Sequence, residues 1–507
     1  MADASMPKGV PAVAAIDQGT SSSKAVVVGA DGRVLGRSSV GIGRADPAPG
    51  WVEQDANEIR ESVVAALVTV LDSVDVELVG IGLSNQRESA VIWSRRTGEP
   101  LGPVLGWQDR RTADRVRPLE ESGWAARIRA KTGLPLDPMF SALKYEWLLD
   151  QVDPHRDAAR RGEIALGTID SWLTWTLTGE HRIEIGNAGR TQLLNLETLT
   201  WDGELLELFR IPPVCLPRVC ASTEATAALI DVPGVPRGTR LHGILGDSHA
   251  ALYAHGVRAP GQVKATYGSG SSIMGLAEVD DRAGARVLDG LVTTIAWADP
   301  VPAFAFEGTI LSTGATLLWL AKILGVDPAQ LSALAQSVPD TQGVDLVPAF
   351  AGLGAPWWDE SAVGLVSGFG LGTGPGHLAR AAFESVALQT EDLFSAVEER
   401  LGTPIDTVLA DGGPSQNDWL MQVQADLSQR RVVRSNIAEL SATGAAHLAG
   451  VSCGLWTAEE CLRLPRDRSP FDPLMERSGA DARRQTWRSA IERSRFQPAI
   501  PRKQSES

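Results

Sequence analysis

Asp17-Gln18-Gly19-Thr20-Ser21-Ser22-Ser23-Lys24 gathers an acid, a glycine, a run of hydroxyls and a lysine into one short stretch. Gly19 permits a backbone shape that other residues resist, so neighbouring N–H groups can converge on an anion. Thr20, Ser21 and Ser22 add hydroxyl donors, and Lys24 adds positive charge. Asp17 is a hard oxygen ligand of the kind that holds Mg²⁺ through water. These residue types suit a phosphate cradle with an acid at its mouth, although a Gly/Ser turn also closes many ordinary β-hairpins. The alternative G-x-x-x-x-G-K-[ST] phosphate loop occurs nowhere in the chain.

A second stretch of the same kind, VKATYGSGSSIM over Val263–Met274, lies about halfway along and places Ser269 in its turn. Two phosphate-type hairpins, each opening one half of a long chain, are what a duplicated fold needs to hold ATP in a cleft between its halves. Three further sites carry chemistry. Ser84-Asn85-Gln86-Arg87-Glu88-Ser89 sets a donor beside an acceptor, a pair able to grip vicinal hydroxyls; it also reads as a surface ion pair. Trp107, in Gly106-Trp107-Gln108-Asp109, offers a ring for the carbon chain of a polyol, or a core side chain. Asp247 follows an apolar run and precedes small helix formers; it is the candidate general base, or the N-cap of the next helix.

Positioning these groups requires particular elements. Ala12–Val28 reads as strand, polar turn and returning strand, and Asp31-Gly32 turns into a third strand over Val34–Val40. Asp55 with Glu58 three residues later predicts a capping box ahead of a helix carrying Ile59, Val63, Ala66, Leu67 and Val70. Leu78–Leu83 is a buried strand that delivers Arg87 and Glu88 at its carboxyl end, where open α/β sheets place ligands, and Leu241–Leu245 delivers Asp247 in the same way. Leu143–Leu149 is helical with Trp147 packed internally, and Gly167–Leu177 is a helix with Asp170 as its N-cap. In the second half the pattern predicts a strand over Ala303–Glu307 and a helix from Gly314 to Leu324. A Gly/Pro/aromatic loop over Phe350–Trp358 follows, its double Trp packing at a domain interface. A long helix over His377–Glu399, a strand over Val408–Ala410 with a glycine turn after it, and a helix over Arg483–Ser494 complete the half.

At 507 residues the chain exceeds what one core supports, and two domains of about 250 residues each are expected. The net charge of −15 argues against nucleic acid as a partner, which normally needs a basic face. The four cysteines, Cys215, Cys220, Cys453 and Cys461, form no C-x-x-C pattern, and the first residues lack the regions of a signal peptide. A reduced, cytoplasmic protein without a membrane span is the expectation. Residues 1–11 and 496–507 read as loose tails, with the domains at 12–254 and 255–495.

The ordered strings DQGTSSSKAV, PGWVEQD, GLSNQRES, GWQDRRTA, FSALKYEWLLD, GTIDSWLTWTLTG, GDSHAALY, YGSGSS, LVTTIAW, PAFAGLGAPWWD, FESVALQTEDL and DGGPSQNDWLMQ resemble the FGGY carbohydrate kinase family, and within it the glycerol kinases most. The resemblance runs from Ala12 to Trp456. It implies an α/β protein of two actin-like, ribonuclease H-like ATPase domains with an active site in the cleft between them. It further implies ATP and Mg²⁺ as cofactors, a small polyol or sugar as substrate, and a homodimer or higher homo-oligomer. By the match Asp247 is the catalytic base and stands with Asp17 on the metal side. Arg87, Glu88, Trp107, Met139, Ser248 and Ser272 line the substrate pocket. Thr20, Ser21, Ser22, Lys24, Ser269, Gly314, Gly413 and Asn417 face the nucleotide.

The sequence departs from glycerol kinases within that pocket, where they typically carry Tyr for Met139, Gln for Ser248 and Phe for Ser272. Met in place of Tyr removes a hydroxyl, and Ser in place of Phe vacates a ring and adds a hydrogen-bonding group. A larger pocket, more polar at one end, is expected, suited to a four- or five-carbon polyol phosphorylated at a terminal hydroxyl. Glycerol itself, or a pentulose or other ketose, is the alternative substrate. Lys24 replaces the usual Arg, and Leu318 stands where a nucleotide-side Gln often occurs. Pro233-Gly234-Val235-Pro236-Arg237 replaces the glycine-rich loop linked in some glycerol kinases to sugar-bisphosphate inhibition. A non-catalytic regulator would need a DNA-binding segment, and a chaperone-like machine a peptide-binding domain; neither is expected in the residues before Ala12 or after Trp456.

Overall fold

The computed structural model describes residues 9–278, 288 and 290–496, and most of the two loose tails expected at the termini lies outside them. Two sheets organise the chain. In the first, β1 (Val10–Gln18), β2 (Ser22–Gly29) and β3 (Val34–Gly41) form an antiparallel meander, while β4 (Val76–Asn85) runs parallel to β1 and β5 (Leu241–Gly246) parallel to β4. The order is β5-β4-β1-β2-β3. The second sheet contains β6 (Gln262–Tyr267), β7 (Ser271–Leu276), β8 (Val292–Asp299), β9 (Val301–Ile310), β10 (Thr407–Asp411), β11 (Arg431–Ser435) and β12 (Arg468–Phe471), ordered β8-β9-β7-β6-β10-β11-β12. Its inner strands β11-β10-β6-β7-β9 repeat the first sheet strand for strand, with the same parallel and antiparallel pairings. Strands β8 and β12 are added at the two edges, and neither they nor β11 has a counterpart in the sequence expectation.

Helices cover the faces because the parallel strands are apolar on both sides. α1 (Ala56–Asp72) lays Ile59, Val63, Ala66, Leu67 and Val70 against the first sheet. α2 (Ile169–Thr178) adds Trp172, whose indole N–H donates to the Ala56 carbonyl at 2.7 Å. α3 (Asp247–Ala254) follows β5, and α4 (Gly314–Leu324), α5 (Pro375–Leu401) and α6 (Asp418–Ser428) pack in the second half. α7 (Leu440–Ser452) follows β11 but crosses back to lie on β4 and β5 and against α3. This return is made by small residues. Gly444 lies directly on the Ala250 carbonyl, Gly82 on Ala445, and a Cβ on Gly243 would stand 2.8 Å from the Ala449 nitrogen. A mixed apolar core results, in which Val13, Ala15, Leu245 and Leu252 meet Met274, Leu409, Ala446 and Trp456. α8 (Arg477–Arg495) closes the second half, burying Trp487 against a cluster that includes Leu388 and Leu427. No single helix among the described residues is long and apolar enough to cross a membrane.

Four local expectations are corrected. Asp55 caps α1 through Asn57 and Glu58 N–H, yet the Glu58 carboxylate accepts from the Gly43 N–H instead of closing a capping box. Asp170 is not an N-cap: Thr168 holds that place, and Asp170 lies buried in the first turn, accepting from Thr168 and from the Glu184 N–H. Burial pushes its carboxyl up to about 6. The double Trp packs within the second half, Trp357 against the Trp487 cluster and Trp358 by donating to the Gly290 carbonyl. Trp147 is half-buried, edge-on to Trp51 and under the Arg111 guanidinium, rather than inside the core.

Candidate active site

The carboxyl ends of β4 and β5 deliver Arg87 and Asp247 side by side. Arg87 Nε donates to Asp247 Oδ1 at 3.1 Å, and its two terminal nitrogens donate to the Glu307 carboxylate of β9 at 3.2 and 2.9 Å. A residue from the first half is thereby clamped by one from the second. Arg190 completes the arrangement, its Nε donating to Glu88 Oε1 at 2.5 Å and its Nη1 standing 2.7 Å from Glu307 Oε2. Two guanidinium groups and two carboxylates neutralise one another out of water, the condition under which buried charge is tolerated. Burial opposes charge on Glu307, but Arg190 and Arg87 outweigh it and hold its carboxyl well below the usual range. Burial likewise opposes the Arg87 charge, and Glu307, Glu88 and Asp247 overcome it.

Glu88 itself takes a left-handed backbone, φ 63°, which is strained for a residue with a side chain and must be held in place. Ser141 Oγ and Lys144 Nζ both donate to its carbonyl, at 3.0 and 3.3 Å, and Lys144 also donates to the Met139 carbonyl at 2.5 Å. Lys144 thus draws Met139 and Glu88 to one place, and burial lowers its ammonium to about 7. Met139 is half-buried beside Leu134, Phe140 and Val292. Ser248 follows Asp247 on the first turn of α3, its N–H donating to Asp247 Oδ1 at 2.6 Å. Ser272 on β7 donates to Glu307 Oε1 at 3.1 Å.

The first hairpin turn adjoins this cluster. Gly19 N–H bonds the Ser22 carbonyl at 3.0 Å, leaving Thr20 and Ser21 at the tip. Gln54 donates to the Thr20 carbonyl and Gln18 to the Gly19 carbonyl, and Gln86 donates to both glutamines, so a buried amide network fixes the turn to the Arg87 loop. Trp107 Nε1 donates to Thr20 Oγ1 at 3.2 Å, and the ring is 38% exposed, which makes it a wall of the cleft rather than a core side chain. Asp109 secures that wall by accepting from the Val52 N–H and from Arg111, whose guanidinium lies on the Trp51 ring. Asp17 pairs in register with Lys24 and accepts from Ser84 at 2.8 Å. Burial, with the Asp247 charge adding to it, pushes the Asp17 carboxyl up to about 6. Two neighbouring carboxylates, one recessed and one partly exposed, together form an oxygen donor set. Among the described residues no group of three or more side chains could cage a metal, so Asp17 and Asp247 fit the mode in which Mg²⁺ keeps several waters and a ligand's phosphates.

The second hairpin turn opens on a separate, largely apolar cavity of about 460 Å³ lined by Gly268, Ser269, Gly314, Leu317, Leu318, Pro328, Phe383, Gly413, Pro414 and Asn417. Ser269, Gly314, Gly413 and Asn417 are therefore brought together, with Leu318 on the wall. The Gly314 N–H is occupied by the Gly268 carbonyl at 3.0 Å, and the Asn417 side chain caps α6 through Leu420 N–H while donating to Ser332. Both residues offer surface to the cavity rather than free donors. Gly314 lies directly on the Gly268 carbonyl, where a Cβ would stand 2.5 Å away, and Gly412, with φ +93° against the Tyr267 backbone, makes the turn that leads into Gly413.

Glu307, Arg190, Lys144 and Ser84 were not singled out from the sequence. Glu307 meets Arg87 across 220 residues and Arg190 meets Glu88 across 102, and local spacing carries no trace of such pairs. The available signal was Glu307 itself, an acid closing an otherwise apolar strand. His249, buried in α3 behind Arg87, has neither ring nitrogen hydrogen-bonded, and its pKa is lowered well below the usual value by burial and by Arg87.

Comparison with known proteins places this geometry. Residues 12–253 match the model of the N-terminal domain, and residues 263–453 that of the C-terminal domain, of the FGGY family of carbohydrate kinases. The chain is 40% identical over 495 residues to an apulose kinase of Pectobacterium atrosepticum, covering 96% of this chain and 99% of that one. It is 43% identical over 494 residues to a glycerol kinase of Trichlorobacter lovleyi, covering 95% and 98%. Among solved structures it superposes on Plasmodium falciparum glycerol kinase with ADP at a TM-score of 0.91, with 27% identity and coverage of 97% and 100%.

Proposed function

The chain belongs to the FGGY family of carbohydrate kinases, and from that premise we propose that it transfers the γ-phosphoryl group of Mg²⁺-ATP to a terminal hydroxyl of a four- or five-carbon polyol. The observation that carries this reading is the Arg87–Asp247 pair at the ends of β4 and β5, adjoining both the phosphate turn and the Trp107 wall. Phosphoryl transfer asks for an in-line hydroxyl, a carboxylate to take its proton, and positive charge around the phosphoryl oxygens. Arg87 and Glu88 hold vicinal hydroxyls while Trp107 lies along the carbon chain. Asp247, 42% exposed at its side chain, takes the proton of the attacking hydroxyl. Thr20, Ser21, Ser22 and Lys24 on one side and Ser269 on the other cradle phosphates, and the cavity between Gly314, Gly413 and Asn417 takes the adenosine. Bound Mg²⁺, held through water by Asp17 and Asp247, would neutralise charge on the phosphates. Closure of the halves would exclude the water that competes for the phosphoryl group.

Replacing Asp247 by Asn keeps the shape and removes the base. Turnover of every polyol is expected to fall by roughly 10²- to 10⁴-fold, with binding of ADP in the absence of Mg²⁺, followed by calorimetry, retained. Substantial turnover in that variant would remove Asp247 from the role. A second reading, glycerol as the substrate, is favoured by the relatives named glycerol kinase and by the presence of Arg87, Glu88, Trp107 and Asp247 together. The relative named apulose kinase favours the other alternative, a ketose as the substrate.

A further inference from the structure

We propose that His255 is a positioning residue for the nucleotide: a side chain at the end of α3 that, by donating from Nε2 to Asp411, sets the Asp411-Gly412-Gly413 turn walling the cavity of about 460 Å³. The inference rests on the reading of that cavity as the nucleotide site and adds the group that holds its wall.

The turn cannot hold itself. β10 ends at Asp411, and neither Gly412 nor Gly413 carries a side chain with which to anchor it. Gly412, at φ +93°, lies so close on β6 that a Cβ would stand 2.0 Å from the Tyr267 carbonyl oxygen, and Gly413 lines the cavity. Ser415 Oγ donates to the Gly412 carbonyl from beyond the turn, which leaves the buried Asp411 carboxylate as the anchor on its near side. His255 Nε2 stands 2.9 Å from Asp411 Oδ2, across 156 residues. Thr266, the partner of Asp411 in the parallel ladder, bonds the same carboxylate. Lys264 Nζ donates to Thr266 Oγ1 at 2.8 Å, so the single Thr266 proton is free to go to Asp411. Burial works against the Asp411 charge, but the His255 and Thr266 bonds and the Lys264 charge outweigh it and hold its carboxyl below the usual range. An ionised carboxylate only accepts, so the proton between the two groups is on His255 Nε2. Burial lowers the His255 pKa, which leaves a neutral imidazole in its Nε2–H form.

His255 is itself fixed by its helix. It caps the C-terminus of α3, its N–H donating to the Ala251 carbonyl at 3.0 Å. Arg468 of β12 donates to the His255 carbonyl, and Arg466 Nε to that of Ala254 at 2.9 Å. The imidazole thus reaches Asp411 from a rigid mount, and α3 carries Asp247 at its other end. Without the Nε2 donor a buried carboxylate oxygen would lose its partner, and the turn would shift toward water at the expense of the cavity wall.

The test replaces His255 by the two amides that tell its ring nitrogens apart. Gln places a donor close to where the imidazole Nε2 stands, whereas Asn reaches only as far as Nδ1. ADP binding without Mg²⁺ is measured by calorimetry on the full chain. His255→Asn is expected to weaken it ~10-fold or more, the scale of a hydrogen bond to a charged group, and His255→Gln by about threefold or less. A merely structural role would lower the unfolding midpoint of His255→Asn and leave the affinity alone. That result, or an equal loss in both variants, overturns the inference and leaves the kinase reading standing. Should His255→Asn not fold, the wild-type chain decides. With its histidine nitrogens labelled, the His255 resonances, identified by their absence in His255→Gln, are expected to report the Nε2–H form and to shift when ADP binds. An Nδ1–H form, or resonances indifferent to ADP, overturns the inference. If the wild-type chain binds no ADP, the nucleotide reading and the inference fall together.

Discussion

At the scale of single residues, the account rests on carboxylates placed in unlike surroundings. Asp247 stands partly open to the cleft, Glu307 is saturated by two guanidinium groups, and Asp17 is recessed with its carboxyl raised to about 6. The last value gives a pH dependence with a definite sign. Below about pH 6 Asp17 is protonated and neutral, so it loses its attraction for a cation. Binding of Mg²⁺-ADP, measured by calorimetry between pH 5 and 8, is expected to weaken about tenfold per pH unit below 6 and to level off above it. In Asp17→Asn the binding should be weak throughout and free of this step; an unchanged step in that variant would assign it to another group. Glu307→Gln removes the anion that Arg87 and Arg190 share, leaving buried charge uncompensated, and a loss of about 3–5 kcal/mol in unfolding free energy is expected. A loss under 1 kcal/mol in urea unfolding would show that water replaces it. The strand-end positions of Arg87, Asp247 and Asp17 were legible from the flanking apolar runs and turns, while the base role given to Asp247 came from the family resemblance. Glu307 and Arg190 were not, since their partners lie in other elements and no periodicity links them.

At the scale of elements, strands and their turns were the most readable part, because alternation and glycine mark them locally. Two of the four departures share one cause: a side chain expected to cap its own helix acts elsewhere. Glu58 leaves the cap of α1 for Gly43, and Asp170 turns inward to bond the Glu184 N–H. Least legible was the return of α7 to the first sheet, since the sequence reading set no element over Leu440–Ser452. Its packing gives a prediction. Gly444→Ala gains up to about 1 kcal/mol from helix propensity, but the added methyl would run into the Ala250 carbonyl. Backbone against backbone cannot yield by a rotamer change, and overpacking costs about 1–3 kcal/mol. Net destabilisation is expected as a lower midpoint in thermal unfolding, with a raised midpoint contradicting the packing account.

At the scale of the whole molecule, one five-strand pattern occurs twice, and each copy presents its hairpin turn to the cleft. The duplication was foreseen from two glycine and hydroxyl turns; the extra edge strands and the mixed core that joins the halves were not. Because Arg87 and Glu307 come from different sheets, the acceptor pocket proposed above lies where the halves meet, and on that reading their closure would exclude water. The central claim concerns what that pocket accepts. Its most direct test is ADP release by the full chain with Mg²⁺-ATP across glycerol, erythritol, threitol, xylitol, ribitol, xylulose and ribulose, with Asp247→Asn as the blank. The account predicts that a four- or five-carbon polyol exceeds both glycerol and the ketoses in kcat/KM. A clear preference for glycerol would contradict it, by showing that Met139 and Ser272 do not set substrate length, and a preference for a ketose would move the chain to the alternative substrate class.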